Sequence, residues 1–219
     1  MVTYDSIKND PAIREYIKSA DESLLALGYT EHSFAHVGMV TSRVEYILSS
    51  LDFNKKDIEL AKIAAYMHDI GNLVNRISHS QSGALMAFKI LDGKGMPPAD
   101  IAAVVNAIGN HDEGTGVPLN PISAALIISD KSDVRRSRVR NCETCDPDIH
   151  DRVNYSVTAS DLTVNKDNKT ITLALSIDTK HSSIVEYFEI FLERMLLCKK
   201  AAEALGLSFK LVINGQDLI

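Results

Sequence analysis

No apolar run in this chain approaches the roughly 18 residues that a membrane-crossing helix needs, so no spanning segment is expected. The N-terminus, Met-Val-Thr-Tyr-Asp, has neither a basic start nor an apolar stretch, and no secretory leader is expected. Cysteine is scarce: three in 219 residues, odd in number and too few for a disulfide framework, which points to a reducing, cytoplasmic setting. Positive charge is not in excess. Lys and Arg total 23 against 29 Asp and Glu, a net charge of −6, so long nucleic acid is a poor generic partner. There is no internal repeat, no low-complexity stretch, and neither a Gly-x-Ser-x-Gly nor a P-loop pattern to supply a ready-made mechanism. What is present, 45% hydrophobic and 24% charged residues, is the profile of a folded globular chain.

The first two thirds carry helical signals. Asp10-Pro11 opens a helix with the apolar pattern Ile13, Tyr16, Ile17, Ala20 and Leu24, and Gly28 ends it. Further helices are expected from about Ser33 to Leu51, from an Asn54 cap to Gly71, from Ser80 to Leu91, from Pro97-Pro98 to Ile108, and from Pro121 through Ile128. The last third changes character. Val153 to Val164 and Thr170 to Ile177 alternate as strands do, Ser183 to Leu205 reads as one long amphipathic helix, and Leu207 to Ile213 as a closing strand. The expected division is residues 1–148, helical, and residues 149–219, a small α+β unit (β-β-α-β), with the boundary near Asp146-Pro147-Asp148. The apolar face of the long helix is wider than a three-stranded sheet needs. The surplus is expected to pack on the helical part or on a second copy of the chain.

Chemistry concentrates in six residues: His36, His68, Asp69, His79, His111 and Asp130, set near the ends of different helices. Asp130 follows Ala124-Ala125-Leu126-Ile127-Ile128-Ser129, a stretch expected to be buried. A carboxylate there needs a strong partner, and a divalent cation is one. His68-Asp69 raises the same question one helix earlier. Imidazole with carboxylate suits iron, manganese, zinc, nickel or cobalt better than calcium, and helical bundles commonly build such sites from facing helices.

His36 with Val40 and Val44 behind it, "AAYMHDIGN" with His68 and Asp69, "HSQSGA" with His79, "AIGNHDEG" with His111 and "IISDKSD" with Asp130 together resemble the HD-domain superfamily of metal-dependent phosphohydrolases, over roughly residues 30–137. The resemblance implies a mostly α helical bundle. It also implies that His36, His68, Asp69 and Asp130 hold a first metal, that His79 and His111 hold a second, and that Asp69 bridges them. One or two divalent transition metals would then activate a shared water as a hydroxide that attacks phosphorus in a phosphate ester or nucleotide. The catalytic candidates are Asp69 and Lys131. The same six ligands also resemble the mixed-valence di-iron oxygenases that include myo-inositol oxygenase, in which a lysine stands where this chain has Asn72. A non-catalytic nucleotide or metal sensor is the remaining alternative.

Candidate substrate contacts are His32, one helical turn before His36; Arg43, two turns after it; Asn72; Arg76, in the loop before His79; and Arg135, one turn after Lys131. The run Lys131, Arg135, Arg136, Arg138, Arg140 is a basic stripe on an acidic protein, a potential funnel for an anion. Asp133 is expected to pair with one of these arginines or to assist proton transfer. The expected partner is a small phosphorylated molecule or nucleotide, with no membrane. Cys142 and Cys145 form a lone Cys-x-x-Cys without a second ligand pair, and His150 reads as linker.

Overall fold

The computed structural model describes residues 2–140 and 148–219; Cys142 and Cys145 lie outside the described residues. Seven helices come first: α1 (Tyr4–Lys8), α2 (Pro11–Ala26), α3 (Phe34–Ser50), α4 (Lys55–Met67), α5 (His79–Gly93), α6 (Pro98–Gly109) and α7 (Pro121–Lys131). Their starts follow from capping chemistry. Asp10 accepts from the amides of Ala12 and Ile13, with Pro11 at the first helical position. Ser33, Asn54 and Asn120 cap α3, α4 and α7. The expected run to Gly71 ends earlier, at Met67, and the chain tightens into a 3₁₀ turn over Ile70–Leu73.

Every residue of α7 from Ile122 to Ser129 is buried. The helix earns this by packing against α3, α4 and α6 on one side and a helix of the C-terminal unit on the other.

That unit holds α8 (Ile149–Ser156), β1 (Val157–Asn165), β2 (Thr170–Ile177), α9 (Ile184–Ala204), β3 (Ser208–Ile213) and β4 (Gln216–Asp217). The sheet order is β1-β2-β3-β4, with β1–β2 antiparallel, β2–β3 parallel across α9, and β3–β4 antiparallel. Ile171, Leu173, Leu175 and Ile177 of β2 join Phe209, Leu211 and Ile213 of β3 as the buried face, which α9 covers. The helical bundle and the sheet share one continuous hydrophobic core.

Three expectations need correction. The first strand begins at Val157 rather than Val153, because Asp148 caps a helix by accepting from the His150 and Asp151 amides, and Ile149 and Val153 share that helix's face. His150 is therefore a helical residue, not linker. A short fourth strand, β4, also extends the expected sheet. Among the described residues, no helix is long and apolar enough to cross a membrane.

Candidate metal centre

Helix ends bring the six residues together. His36 lies in the first turn of α3, His68 caps the C-terminus of α4 with Asp69 directly after it, His79 opens α5, His111 follows α6, and Asp130 sits in the last turn of α7. The close approach of α5 depends on Gly71. A Cβ there would stand 1.9 Å from the His79 carbonyl oxygen and 2.4 Å from the Gly83 nitrogen. Only a residue without a side chain lets the turn that follows Asp69 lie against the start of α5. Ser78, just before His79, holds a left-handed backbone (φ 58°) that turns the chain into α5.

All four imidazoles are held by the same atom. Nδ1 contacts the Ala65 carbonyl in His68 (2.8 Å), the Ile108 carbonyl in His111 (2.6 Å) and the Arg76 carbonyl in His79 (3.1 Å). A carbonyl only accepts, so Nδ1 carries the proton in each and the Nε2 lone pair is free. In His36 the partner is the Asp133 carboxylate, 2.7 Å away. The four Nε2 atoms point into one space.

Asp69 divides its two oxygens across that space. Oδ2 lies 3.2 Å from His68 Nε2 and 3.7 Å from His36 Nε2; Oδ1 lies 3.5 Å from His79 Nε2 and 3.8 Å from His111 Nε2. Asp130 Oδ1 adds to the first group, 3.3 Å from His36 Nε2 and 3.7 Å from His68 Nε2. In the second group, His79 and His111 Nε2 stand 3.1 Å apart. Donors each about 2.1 Å from a common ion stand about 3–3.7 Å apart, so these spacings suit shared ions. The ligand atoms of His36, His68 and Asp130 lie within 4.8 Å of one another, as do those of His68, Asp69 and His111.

The residues fit divalent cations on a second count. His36 Nε2 and His68 Nε2 are buried without a hydrogen-bond partner, and the facing lone pairs of His79 and His111 have no proton to share. Burial pushes the carboxyl pKa of Asp69 up, but the neighbouring imidazoles, His68 first and then His111, hold it well below the usual range. Asp130 behaves alike: burial raises it, while Lys131, His36 and His68 outweigh that and hold it low. Burial disfavours a charged His68, while the carboxylates of Asp69 and Asp130 raise its pKa, so the field between the two acids favours positive charge there. His79 goes the other way, down to about 3. Burial is the main cause, opposed by Asp69 and reinforced by His111, Arg76 and Lys131.

The centre opens into a cavity of about 410 Å³ lined by Asp69, His79, His111 and Asp130. Of the expected catalytic and substrate residues, His32, Arg76 and Lys131 line it. Lys131 is buried between Asp130 Oδ2 (2.8 Å) and Glu113 Oε2 (3.1 Å). His32 packs edge-on against His36 and is tied through Nδ1 to the Thr30 carbonyl. Arg76 Nη1 reaches His79 Nε2 (3.4 Å) and Asn72 Oδ1 (3.4 Å).

Three expected contacts face elsewhere. Arg43 shares the angular face of His36, but seven residues of helix carry it about 10 Å along the axis. Its guanidinium donates to Ser132 Oγ (2.9 Å) and the Ser160 carbonyl (2.7 Å). Arg135 lies beyond the end of α7 and turns away, donating to Asp133 (2.8 Å) and Glu31 (3.2 Å). Both line a separate surface cavity. Asn72 is buried and donates to the Asp69 carbonyl (3.0 Å) and Oδ1 (3.1 Å), so it orients the dividing carboxylate instead of facing the cavity.

Sequence reasoning left the role of Asp133 open and gave none to Glu113 or Arg194. Asp133 is buried, holds His36, and pairs with Arg135. The carbonyl of Asp133 accepts from Arg138, which also lines the cavity. The outer wall comes from the C-terminal unit: His150, Asp151 and Asn154 of α8, and Phe191 and Arg194 of α9.

Residues 33–136 match the family model described as HD domain. The chain is similar to the uncharacterized protein MJ1020 of Methanocaldococcus jannaschii, 27% identical over 173 residues; the match covers 67% of this chain and 65% of that relative, so under two thirds of the relative's length is spanned. A solved structure of a predicted HD superfamily hydrolase from an uncultured Thermotogales bacterium is similar over 60% of this chain and 73% of that one, at 24% identity and a TM-score of 0.43.

Proposed function

We propose that the chain, whose residues 33–136 match the HD-domain family model, is a metal-dependent phosphohydrolase acting on a phosphate ester or nucleotide. The observation that carries this reading is the divided carboxylate of Asp69, with one oxygen toward His36 and His68 and the other toward His79 and His111. His36, His68, Asp69 and Asp130 would hold one divalent cation; Asp69, His79 and His111 a second. When bound, such cations supply Lewis acidity and acidify coordinated water near neutral pH.

The chain's own residues supply the rest. Asp133 and three backbone carbonyls fix the imidazole tautomers, so four lone pairs face inward with no reorganisation. Asn72 fixes the rotation of Asp69. Lys131 and Arg76 place positive charge on the cavity wall beside the ligands, where charge grows on phosphoryl oxygens. Burial of the ligands excludes bulk water from the floor.

The test is elemental analysis with a phosphatase panel. Protein produced with manganese is expected to carry up to two transition-metal ions per chain and to release phosphate from phosphomonoesters or nucleotides. Asp69→Ala is expected to bind fewer than one ion and to lose more than about 100-fold in activity, beyond the loss from removing an outer hydrogen-bond partner. Full metal content in Asp69→Ala would overturn the assignment.

A further inference from the structure

Among the described residues, the Lys and Arg side chains that line the cavity are Arg76, Lys131, Arg138 and Arg194. Three are engaged at their charged ends. Lys131 is clamped between Asp130 and Glu113. Arg138 Nη1 donates to the Asp133 carbonyl (2.8 Å) and its Nε to the Glu31 carbonyl (3.0 Å). Arg76 Nη1 is turned to His79 and Asn72.

Arg194 differs. Its Nε is paired with Glu113 Oε1, and its guanidinium lies over the Phe191 ring, 4.4 Å from the centroid. Among the described residues, neither of its terminal nitrogens makes a hydrogen bond, whereas Nη1 of Arg76 and Nη1 of Arg138 each do. One edge and the plane are therefore fixed while the two-nitrogen fork stays open, on a side chain that faces the cavity. A planar fork with two free donors matches a carboxylate or phosphoryl group in bidentate fashion.

Its place in the chain of contacts says which group. Asp130 touches Lys131, Lys131 touches Glu113, and Glu113 touches Arg194. Arg194 is thus separated from the metal-facing carboxylate by two intervening side chains. On the phosphohydrolase reading, the positive charge beside a phosphoryl group over the metal ligands would come from Lys131 and Arg76. We propose that Arg194 receives a second anionic group, so that the substrate carries another phosphoryl or a carboxylate besides the phosphoryl that is cleaved. This rests on the phosphohydrolase reading above. It gives the C-terminal unit a function in substrate selection.

The experiment is calorimetric titration of the manganese-loaded full chain with three non-hydrolysable probes. Methylphosphonate has one anionic group, methylenediphosphonate adds a second phosphoryl, and phosphonoacetate adds a carboxylate. The wild type is expected to bind one of the two-headed probes about tenfold more tightly than methylphosphonate. Whichever of the two it is identifies the second group. Arg194→Gln is expected to erase that preference while changing methylphosphonate binding by less than about twofold. Arg194→Lys keeps the stem and charge but lacks the fork, and carries the same comparison if the glutamine variant loses its metals. Equal weakening of all three probes would place Arg194 on the cleaved phosphoryl and overturn the proposal, as would no weakening at all. If the metal-loaded wild type binds none of the probes, the phosphohydrolase reading falls and this proposal with it. If it binds methylphosphonate alone, only this proposal falls.

Discussion

The floor of the cavity and its outer wall hold their polar side chains differently. On the floor, His36, His68, His79 and His111 are all buried, and each has one ring nitrogen tied to a fixed oxygen. On the wall, Arg76 and Arg194 are partly exposed, and Arg194 is held along one edge and by the Phe191 ring while its terminal nitrogens make no hydrogen bond. A buried group committed to one geometry tolerates little change, because every lost partner leaves an uncompensated polar atom. A half-solvated group can exchange partners with water. Damage to the floor should therefore remove the site, and damage to the wall should change what it prefers.

The sharpest way to break this contrast is Gly71→Ala. The added methyl meets backbone on both sides, so α5 must move away from the turn after Asp69. A loss of about 3 kcal/mol in stability is expected, with His79 displaced and metal content reduced. A melting curve with elemental analysis checks both, and a wild-type Tm with full metal would refute the packing argument.

Asp133→Asn comes next. It leaves His36 in place but weakens the hold on its Nδ1 proton, and metal affinity is expected to fall by about 10–100-fold. Competition with a fluorescent chelator measures this. Unchanged affinity would mean that Asp133 serves only Arg135 and Arg138.

The smallest effect belongs to the surface seam between α8 and α9. Glu186 accepts from the Ser183 amide (2.8 Å) and pairs with Arg152 (2.6 Å), and these contacts, in that order, lower its pKa from 4.5 to about 2. A depressed carboxyl pKa stabilises the fold above the unfolded value, and that contribution is lost as pH falls through the folded one. Glu186→Gln should be slightly less stable than wild type at neutral pH, with the gap closing between about pH 4.5 and 2. Urea titrations across that range test it. A gap that persists at the acid end would assign the effect to something other than this charge.

The same contrast explains what could be read in advance. The six floor residues were legible because helix signals are strong around them and each imidazole or carboxylate falls where a predicted helix ends. The corrections came from position along a helix, not around it. Periodicity puts Arg43 on the His36 face and says nothing of the axial distance that carries its guanidinium to Ser132 and Ser160. Asn72 read as a cavity residue because a loop position carries no orientation; its amide turns back on Asp69. Arg194 gave no signal at all. It is one charged residue on a long amphipathic helix, and only the parallel β2–α9–β3 crossover and the packing of α9 on α7 bring it over the histidines. In α8, the alternation of Val153, Tyr155 and Val157 imitates a strand, while the Asp148 cap decides for a helix.

α7 packs against α3, α4, α6 and α9, so α9 supplies one of its flanks. The rod that carries Asp130 is thus a shared beam, not a component of the bundle alone. Trimming away residues 149–219 would leave a greasy strip facing water within reach of the ligands. A lineage that exchanged this lid for another would have to re-cover that strip in the same step, which ties the history of what the pocket selects to the history of how the core is sealed.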